Sequence, residues 1–336
     1  MGQDEDRGQA PEDTYKTGVV IGKFYPPHRG HIYLIDAARS RVERLTVIVC
    51  DREGQTIPGD LRAVWLRELR PDVNVKVVED IYDPDDSAVW AARTIHWLGY
   101  VPDAVFTSED YGEPYARLMG SRHVLVDRDR AHVPCSGTAI RQAPLSHWDC
   151  LEPPARAYYA KRVCVVGAES SGSTTLARSL GEHYRTPWVP EYGRAYWEAK
   201  MLRSDPSDAG WRSEEFAHIA REQSWREDLA AREANRVLIC DTDAFATTIW
   251  HERYMGRTSA EVAAVAAGRR YDLYLLTDVD IPFVQDGTRD GERMRAWMHR
   301  RFADELARRA APYAVVSGPH AERMRVATGL VDALLG

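Results

Sequence analysis

Lysine is scarce in this 336-residue chain: five of its 44 basic side chains are lysines (Lys16, Lys23, Lys76, Lys161, Lys200), so local positive charge must come mostly from arginine. Net basic charge is missing too. The formal charge is −7, with five acids against Arg7 alone in residues 1–13 and a nearly neutral remainder. That balance excludes a general nucleic-acid or membrane-surface binder, which needs a basic face to displace counterions. No apolar stretch approaches the ~20 residues that span a bilayer, and the acidic start has neither the basic residues nor the apolar core of a signal peptide, so a cytoplasmic protein is expected. The five cysteines (Cys50, Cys135, Cys150, Cys164, Cys240) include no C-x-x-C pair and read as buried reduced thiols. There is no fixed-period repeat, and the tail before the first apolar run is shorter than a helix-turn-helix module.

Hydrophobic residues make up 44% and charged residues 28%, an ordinary globular balance, and the length points to two domains. Residues 1–16 read as a loose acidic tail. Apolar β-branched runs follow at Thr17–Gly22, Leu45–Cys50, Val73–Val78, Asp103–Thr107 and His123–Asp127, the first four separated by helix-length segments. The Pro-rich, aromatic stretch Ala143–Lys161 reads as a short ordered connector with the boundary near residue 157. Further runs occur at Arg162–Gly167, Arg236–Cys240, Tyr271–Thr277 and Tyr313–Val316, with helical periods at Thr174–His183, Ser213–Asn235 and Ala296–Arg309. Strands alternating with helices mean parallel sheets, here two doubly wound α/β domains over 17–157 and 158–336.

After the first strand comes Gly22-Lys-Phe-Tyr-Pro-Pro-His-Arg-Gly-His31. Gly22 lets the chain leave the strand, the prolines stiffen the turn, and Gly30 allows close backbone approach at a helix N-terminus, a place that binds phosphate. His28 and His31 fall on one face of the first turn, where they either cap the helix or donate hydrogen bonds to phosphoryl oxygens. Lys23 adds a point charge. A second hydroxyl-rich helix start, Ser136-Gly-Thr-Ala-Ile-Arg141, lies 105 residues beyond His31.

Together these strings resemble the G-x-F-x-P-x-H-x-G-H and S-x-T-x-x-R motifs of the nucleotidyltransferase superfamily. With Thr107-Ser-Glu-Asp-Tyr-Gly112 and Val126-Asp-Arg-Asp-Arg130 they resemble the nicotinamide-mononucleotide adenylyltransferases, in particular the two-domain form fused to a ribosylnicotinamide kinase (the NadR type). The likeness spans nearly all of residues 17–330. It implies an HxGH nucleotidyltransferase Rossmann-like first domain, with His28, His31, Lys23 and Arg141 catalytic and Gly22, Phe24, Gly30, Ser136 and Thr138 holding ATP. Arg62, Trp65 and Tyr111 are implied at the mononucleotide, although a Trp65 packed into the core is an equal reading. The implied reaction is attack of the mononucleotide phosphate on the α-phosphorus of ATP, giving NAD and pyrophosphate, with Mg²⁺.

The second domain opens with Gly167-Ala-Glu-Ser-Ser-Gly-Ser-Thr174, which fits G-x-x-x-x-G-K-[ST] except that Ser173 stands at the lysine position. Its glycines permit a nest of N–H groups, and Thr174 offers a hydroxyl to Mg²⁺. Glu191-Tyr-Gly-Arg194, Asp241-Thr-Asp243 and Gln285-Asp-Gly-Thr-Arg289 resemble the kinase motifs of the same family, in the same order. The resemblance implies a P-loop kinase-like domain: ATP on Gly167, Ser170, Ser171, Gly172, Ser173 and Thr174, and Mg²⁺ on Thr174 and Asp241. Asp241, then Glu191, would serve in catalysis, and the nucleoside would sit against Arg194, Trp250 and Tyr254. Arg289, Arg293 and Arg295 read as a lid that replaces the missing lysine. The ligands implied are ATP, nicotinamide mononucleotide and ribosylnicotinamide, with no nucleic acid or membrane partner and with homo-oligomerisation open. Alternatives remain: a second domain that binds nucleotide without transferring phosphate, the same chemistry on another phosphorylated nucleoside, or a nucleotide sensor.

Overall fold

Strands that are apolar on both faces need cover on both faces, and this requirement organises the chain. The computed structural model describes residues 14–83, 86–203, 210–285 and 291–336, which divide into one unit up to Ala155 and another from Arg156. In the first, β1 (Tyr15–Gly22), α1 (Arg29–Arg39), β2 (Val42–Asp51), α2 (Gly59–Leu69), β3 (Asn74–Glu79), α3 (Ser87–Leu98), β4 (Ala104–Thr107), α4 (Gly112–Met119) and β5 (Arg122–Leu125) alternate, followed by α5 (Gly137–Gln142). The sheet is parallel with order β3-β2-β1-β4-β5. Val20, Val47, Val49 and Phe106 fill one face, and Val19, Ile21, Ile48 and Val105 fill the other, as a period of two requires.

The unit division falls within α6 (Pro153–Tyr159). The second unit contains β6 (Lys161–Gly167), α7 (Ser173–Tyr184), β7 (Trp188–Val189), α8 (Tyr192–Met201), α9 (Ser213–Ala230), β8 (Val237–Asp241), α10 (Ala244–Met255), α11 (Ala260–Ala267), β9 (Leu273–Thr277), α12 (Arg295–Arg308), β10 (Tyr313–Val316) and α13 (His320–Leu335). Its parallel order is β10-β9-β6-β8-β7. In both sheets the first strand is central and its neighbours leave in opposite directions. A crevice therefore opens at the carboxyl ends of β1 and β6, where α/β folds bind ligands.

Three details depart from the sequence expectation. β7 went unread because two residues carry no periodicity. The helix expected over Ser213–Asn235 stops at Ala230, where Asn235 leaves helical pairing and bonds instead to the Tyr184 carbonyl and the Thr186 hydroxyl, both at 3.0 Å. Not all cysteines are free thiols. Cys135 and Cys150 form a disulfide, brought to a Cα separation of 5.7 Å by the turn that follows α5; Cys50, Cys164 and Cys240 are buried and free. No helix among the described residues is long and apolar enough to cross a membrane.

Gly18, in the middle of β1, is required by packing: a Cβ there would lie 2.7 Å from Val42 Cγ1 and 2.9 Å from Phe106 Cε2. Gly18→Ala should therefore lower unfolding free energy by about 1–3 kcal/mol. Urea denaturation checks this; an unchanged midpoint would show that the sheet relaxes freely there.

Candidate active sites

In the first unit, β1 gives way to α1 through a turn capped by His28, whose carbonyl accepts the Ile32 N–H at 3.1 Å. The His28 and His31 rings stack at 3.7 Å between centroids, and Phe24 closes edge-on at 4.9 Å from His31. Gly30 lets the His28 ring lie close, since a Cβ would stand 3.1 Å from His28 Cε1. Nδ1 of both histidines is buried without a hydrogen-bond partner. A lone buried polar atom is costly, and two side by side make this turn a candidate ligand site. Burial, with the Arg130 charge adding to it, pushes His28 down to about 4. Burial, then His28 and Arg130, hold His31 well below its ordinary value. Both imidazoles are neutral at pH 7 and offer N–H groups rather than charge.

α5 reaches this turn from the far end of the unit. The Ser136 hydroxyl caps it by accepting the Ala139 N–H at 3.4 Å, and a Cβ on Gly137 would stand 3.1 Å from the Tyr25 carbonyl. Arg141 donates to that carbonyl at 2.6 Å and to the Thr138 hydroxyl at 3.0 Å, with its guanidinium 4.7 Å above the Tyr25 ring. The two motifs thus meet on Tyr25, a residue the sequence reading passed over. Its phenol also bonds Thr56, at 2.7 Å. Lys23 is exposed. Arg62 is fully buried and directs its donors to the carbonyls of Lys23 and Cys50, to Asp51 and to Gln55, so it pins the turn from beneath. Trp65 is in the core. Tyr111 stands partly exposed before α4, its hydroxyl 3.5 Å from the Ile21 carbonyl.

The second site begins where β6 ends. Gly167 has no room for a side chain: a Cβ would fall 2.0 Å from Thr277 Oγ1 and 2.5 Å from Ser171 Oγ. Ser170 (φ 56°) and Gly172 (φ 85°) occupy the left-handed region ahead of α7, the kind of backbone from which anion nests are built, and the Ser171 N–H donates to the Ala168 carbonyl at 3.2 Å. The loop is held from outside. Ser170 accepts the Val284 N–H at 2.8 Å, Ser171 bonds Thr277 at 2.6 Å, Arg295 donates to the Ser170 carbonyl at 3.2 Å, and Arg323, almost wholly buried, donates to that of Ser171. Arg295 is thereby engaged with backbone, Arg293 is exposed, and Arg289 lies outside the described residues.

Asp241 ends β8 opposite Val165 of β6, and its Oδ2 is buried without a partner. Burial pushes this carboxyl up to about 6, against hydrogen bonds from Thr174 and Ser173. Ser173, at the position the motif gives to lysine, therefore faces the same carboxylate as Thr174. Burial and the Asp241 charge push Glu191 up to about 8, with Arg194 opposing. Asp243 is structural: it caps α10 through the Ala246 N–H at 2.8 Å and accepts the Tyr274 hydroxyl at 2.8 Å.

These groups line a cavity of about 720 Å³, within the range of small-molecule sites. Trp250 and Tyr254 form one wall, near-parallel at 6.3 Å, and Trp197 and Trp211 stack at 4.6 Å on another. Gln223, buried in α9, accepts the Tyr192 N–H at 3.0 Å and so fixes the head of α8 beside Glu191. Arg194 is the basic side chain of the cavity wall among the described residues. Trp197, Trp211 and Gln223 were not singled out from the sequence; a Trp at 197 one turn beyond Gly193-Arg194 was the available signal. A glycine-bounded loop of phosphate-cradle type, an aromatic seat and two enclosed carboxylates suit transfer of a phosphoryl group to the hydroxyl of an aromatic nucleoside.

Comparison with known proteins agrees with this picture. A family model described as "AAA domain" matches residues 162–323. The chain is 32% identical over 303 residues to the "Trifunctional NAD biosynthesis/regulator protein NadR" of Escherichia coli (strain K12), covering 83% of this chain and 73% of that one. It is 28% identical over 153 residues to the "Nicotinamide-nucleotide adenylyltransferase" of Aeropyrum pernix, covering 42% of this chain and 88% of the relative. A solved NadR protein in complex with NR has the same fold, with TM-score 0.77 at 21% identity over 96% of this chain and 97% of that one.

The enclosed histidines yield a direct test. Because burial depresses both, their NMR ring-proton signals should show no titration between pH 5 and 8 in the ligand-free protein; midpoints near 6.5 would mean that the pair is open to water.

Proposed function

This chain belongs to the NadR family of NAD-biosynthesis proteins, and from that premise we propose that each unit carries one reaction of the pair. The first unit is an HxGH-type nucleotidyltransferase that joins nicotinamide mononucleotide to the adenylyl group of ATP, releasing pyrophosphate. The second is a P-loop-type kinase that phosphorylates ribosylnicotinamide, so its product is the first unit's substrate. The observation that carries the reading is the stacked pair His28 and His31, enclosed, neutral and unpartnered at Nδ1, where it meets Arg141 across Tyr25.

At the first site, a mononucleotide phosphate oxygen attacks the α-phosphorus of ATP as the bond to pyrophosphate breaks. The imidazole N–H groups stabilise oxygen charge that grows in the transition state, and Arg141 and Lys23 hold the leaving pyrophosphate. At the second, the nucleoside 5′-hydroxyl attacks the γ-phosphorus of ATP as the bond from that phosphorus to the bridging oxygen breaks and ADP leaves. Asp241, pushed only to about 6, is a carboxylate at neutral pH and receives the proton, while Glu191 at about 8 is mostly protonated. Asp241, whose Oδ2 is partnerless, and the neighbouring Thr174 hydroxyl would hold a Mg²⁺. Bound there, the ion would neutralise phosphate charge. The charge absent at Ser173 falls to arginines: Arg194 in the cavity wall, with Arg289 and Arg293 from the arginine-rich segment. Trp250 and Tyr254 seat the nicotinamide ring. A cytoplasmic location is part of this reading.

A second reading, favoured by Ser173, makes the second unit a nucleotide-binding module without transfer activity. The two are separated by incubating the protein with ribosylnicotinamide, Mg²⁺ and ATP: the mononucleotide should form and should vanish in Asp241→Ala, whereas no phosphorylation by the wild-type protein above the Asp241→Ala background would establish the module. His31→Ala should lower kcat for NAD synthesis by about 10² or more while leaving the nucleoside reaction intact; near-normal NAD synthesis would remove His31 from catalysis.

The two activities should also differ in pH dependence. A raised carboxyl pKa leaves Asp241 protonated up to about 6, so kcat/KM for phosphorylation should fall as pH drops through 6. His28, depressed to about 4, stays neutral over that interval, so adenylylation should hold its rate down to pH 5. Coincident acid limbs in the two profiles would contradict the assignment.

A further inference from the structure

Glu169 is an oddity in its surroundings: a carboxylate within an anion-binding loop, lining the cavity and largely enclosed. Left alone it would repel phosphate. Its Oε1 accepts Arg253 Nη1 at 2.7 Å, and its Oε2 accepts the Gly291 N–H at 2.7 Å. Arg253 is itself nearly buried, with a side chain 5% exposed. Its guanidinium packs 4.6 Å from the centre of the Tyr254 ring and 5.2 Å from that of Trp250. One ion pair thus runs from the phosphate loop to the aromatic wall. Gly291 is shaped to this arrangement, because a Cβ there would fall 2.6 Å from both Arg253 Nη2 and Glu169 Oε2.

We propose that Glu169 and Arg253 are positioning residues for phosphoryl transfer, fixing the distance between the aromatic seat of the nucleoside and the phosphate loop, with Arg253 also cancelling the Glu169 charge that would otherwise oppose ATP. This rests on the kinase reading of the second unit and goes beyond it, since neither side chain touches the reacting atoms. In-line transfer needs the nucleoside hydroxyl about 3–3.5 Å from phosphorus, and a misplacement of about 1 Å costs on the order of 10²-fold. A rigid, largely desolvated link between the two subsites is a means of holding that tolerance. Two signs follow. Removing Arg253 leaves a bare carboxylate in the cradle and weakens ATP as well as nucleoside. Removing the Glu169 charge instead frees the aromatic wall and weakens chiefly the nucleoside.

The test uses the full chain and the variants Arg253→Met, Glu169→Gln, their combination, and Gly291→Ala as an independent disturbance of the same contact. Ribosylnicotinamide binding is read by calorimetry and phosphorylation by steady-state kinetics, with circular dichroism and melting to confirm folding. Each single variant should lose at least about 10-fold in kcat/KM for the nucleoside. Arg253→Met should additionally raise KM for ATP, and adding Glu169→Gln to it should bring that KM back toward the wild-type value. Additive losses in the double variant, or unchanged nucleoside binding in folded single variants, would overturn the proposal while leaving the kinase reading intact. Failure of the wild-type protein to bind ribosylnicotinamide would overturn both.

Discussion

Both units depend on the same constraint: a central parallel strand must hand over to a helix through a tight turn. At β6 this is absolute, because Gly167 lies against Thr277 and Ser171 with no space for a Cβ. At β1 it is met by Gly22 and by a turn clamped from below by Arg62 and from the side by Arg141. The sheet order follows from that position, since only the first, central strand has neighbours departing both ways and a crevice at its end. Secondary features such as the Ser136 cap on α5 and the Arg323 bond to the phosphate loop hold these turns in place.

The two sites handle charge differently. In the first, burial keeps the imidazoles neutral, so under the proposed reading a phosphate would meet N–H dipoles, with Arg141 nearby, rather than imidazolium charge. In the second, the phosphate loop has no cation of its own. Its Ser173 hydroxyl faces Asp241, and carboxylates gather around it, Asp241 buried and Glu169 and Glu191 largely enclosed. Such a pocket stays hospitable to ATP only if arginines answer those carboxylates, and Arg194 and Arg253 lie where that is needed. Scarcity of lysine across the chain is consistent with this use of planar, always-charged guanidinium groups.

Much of this was legible in the residues. Buried parallel strands announce themselves as β-branched runs, and nine of the ten strands among the described residues were readable that way; β7 escaped because Trp188–Val189 is too short to show a pattern. The glycine and histidine strings located both crevices. What could not be read was tertiary. No spacing rule brings Tyr25 under Arg141, commits Arg62 and Arg295 to backbone carbonyls, or pairs Cys135 with Cys150 across a turn. Gln223 and Arg253 were hidden for the same reason: their partners, Tyr192 and Glu169, lie 31 and 84 residues away.

Division of labour between the two crevices is the central claim, and an isotope trace tests it most directly. The two-unit chain is given ribosylnicotinamide with ATP labelled at the γ-phosphorus, and the label is followed by chromatography. The account predicts label first in nicotinamide mononucleotide and then in NAD, with His31→Ala halting it at the mononucleotide and Asp241→Ala admitting none into either. Label confined to free phosphate, or a block at the same step in both variants, would contradict it.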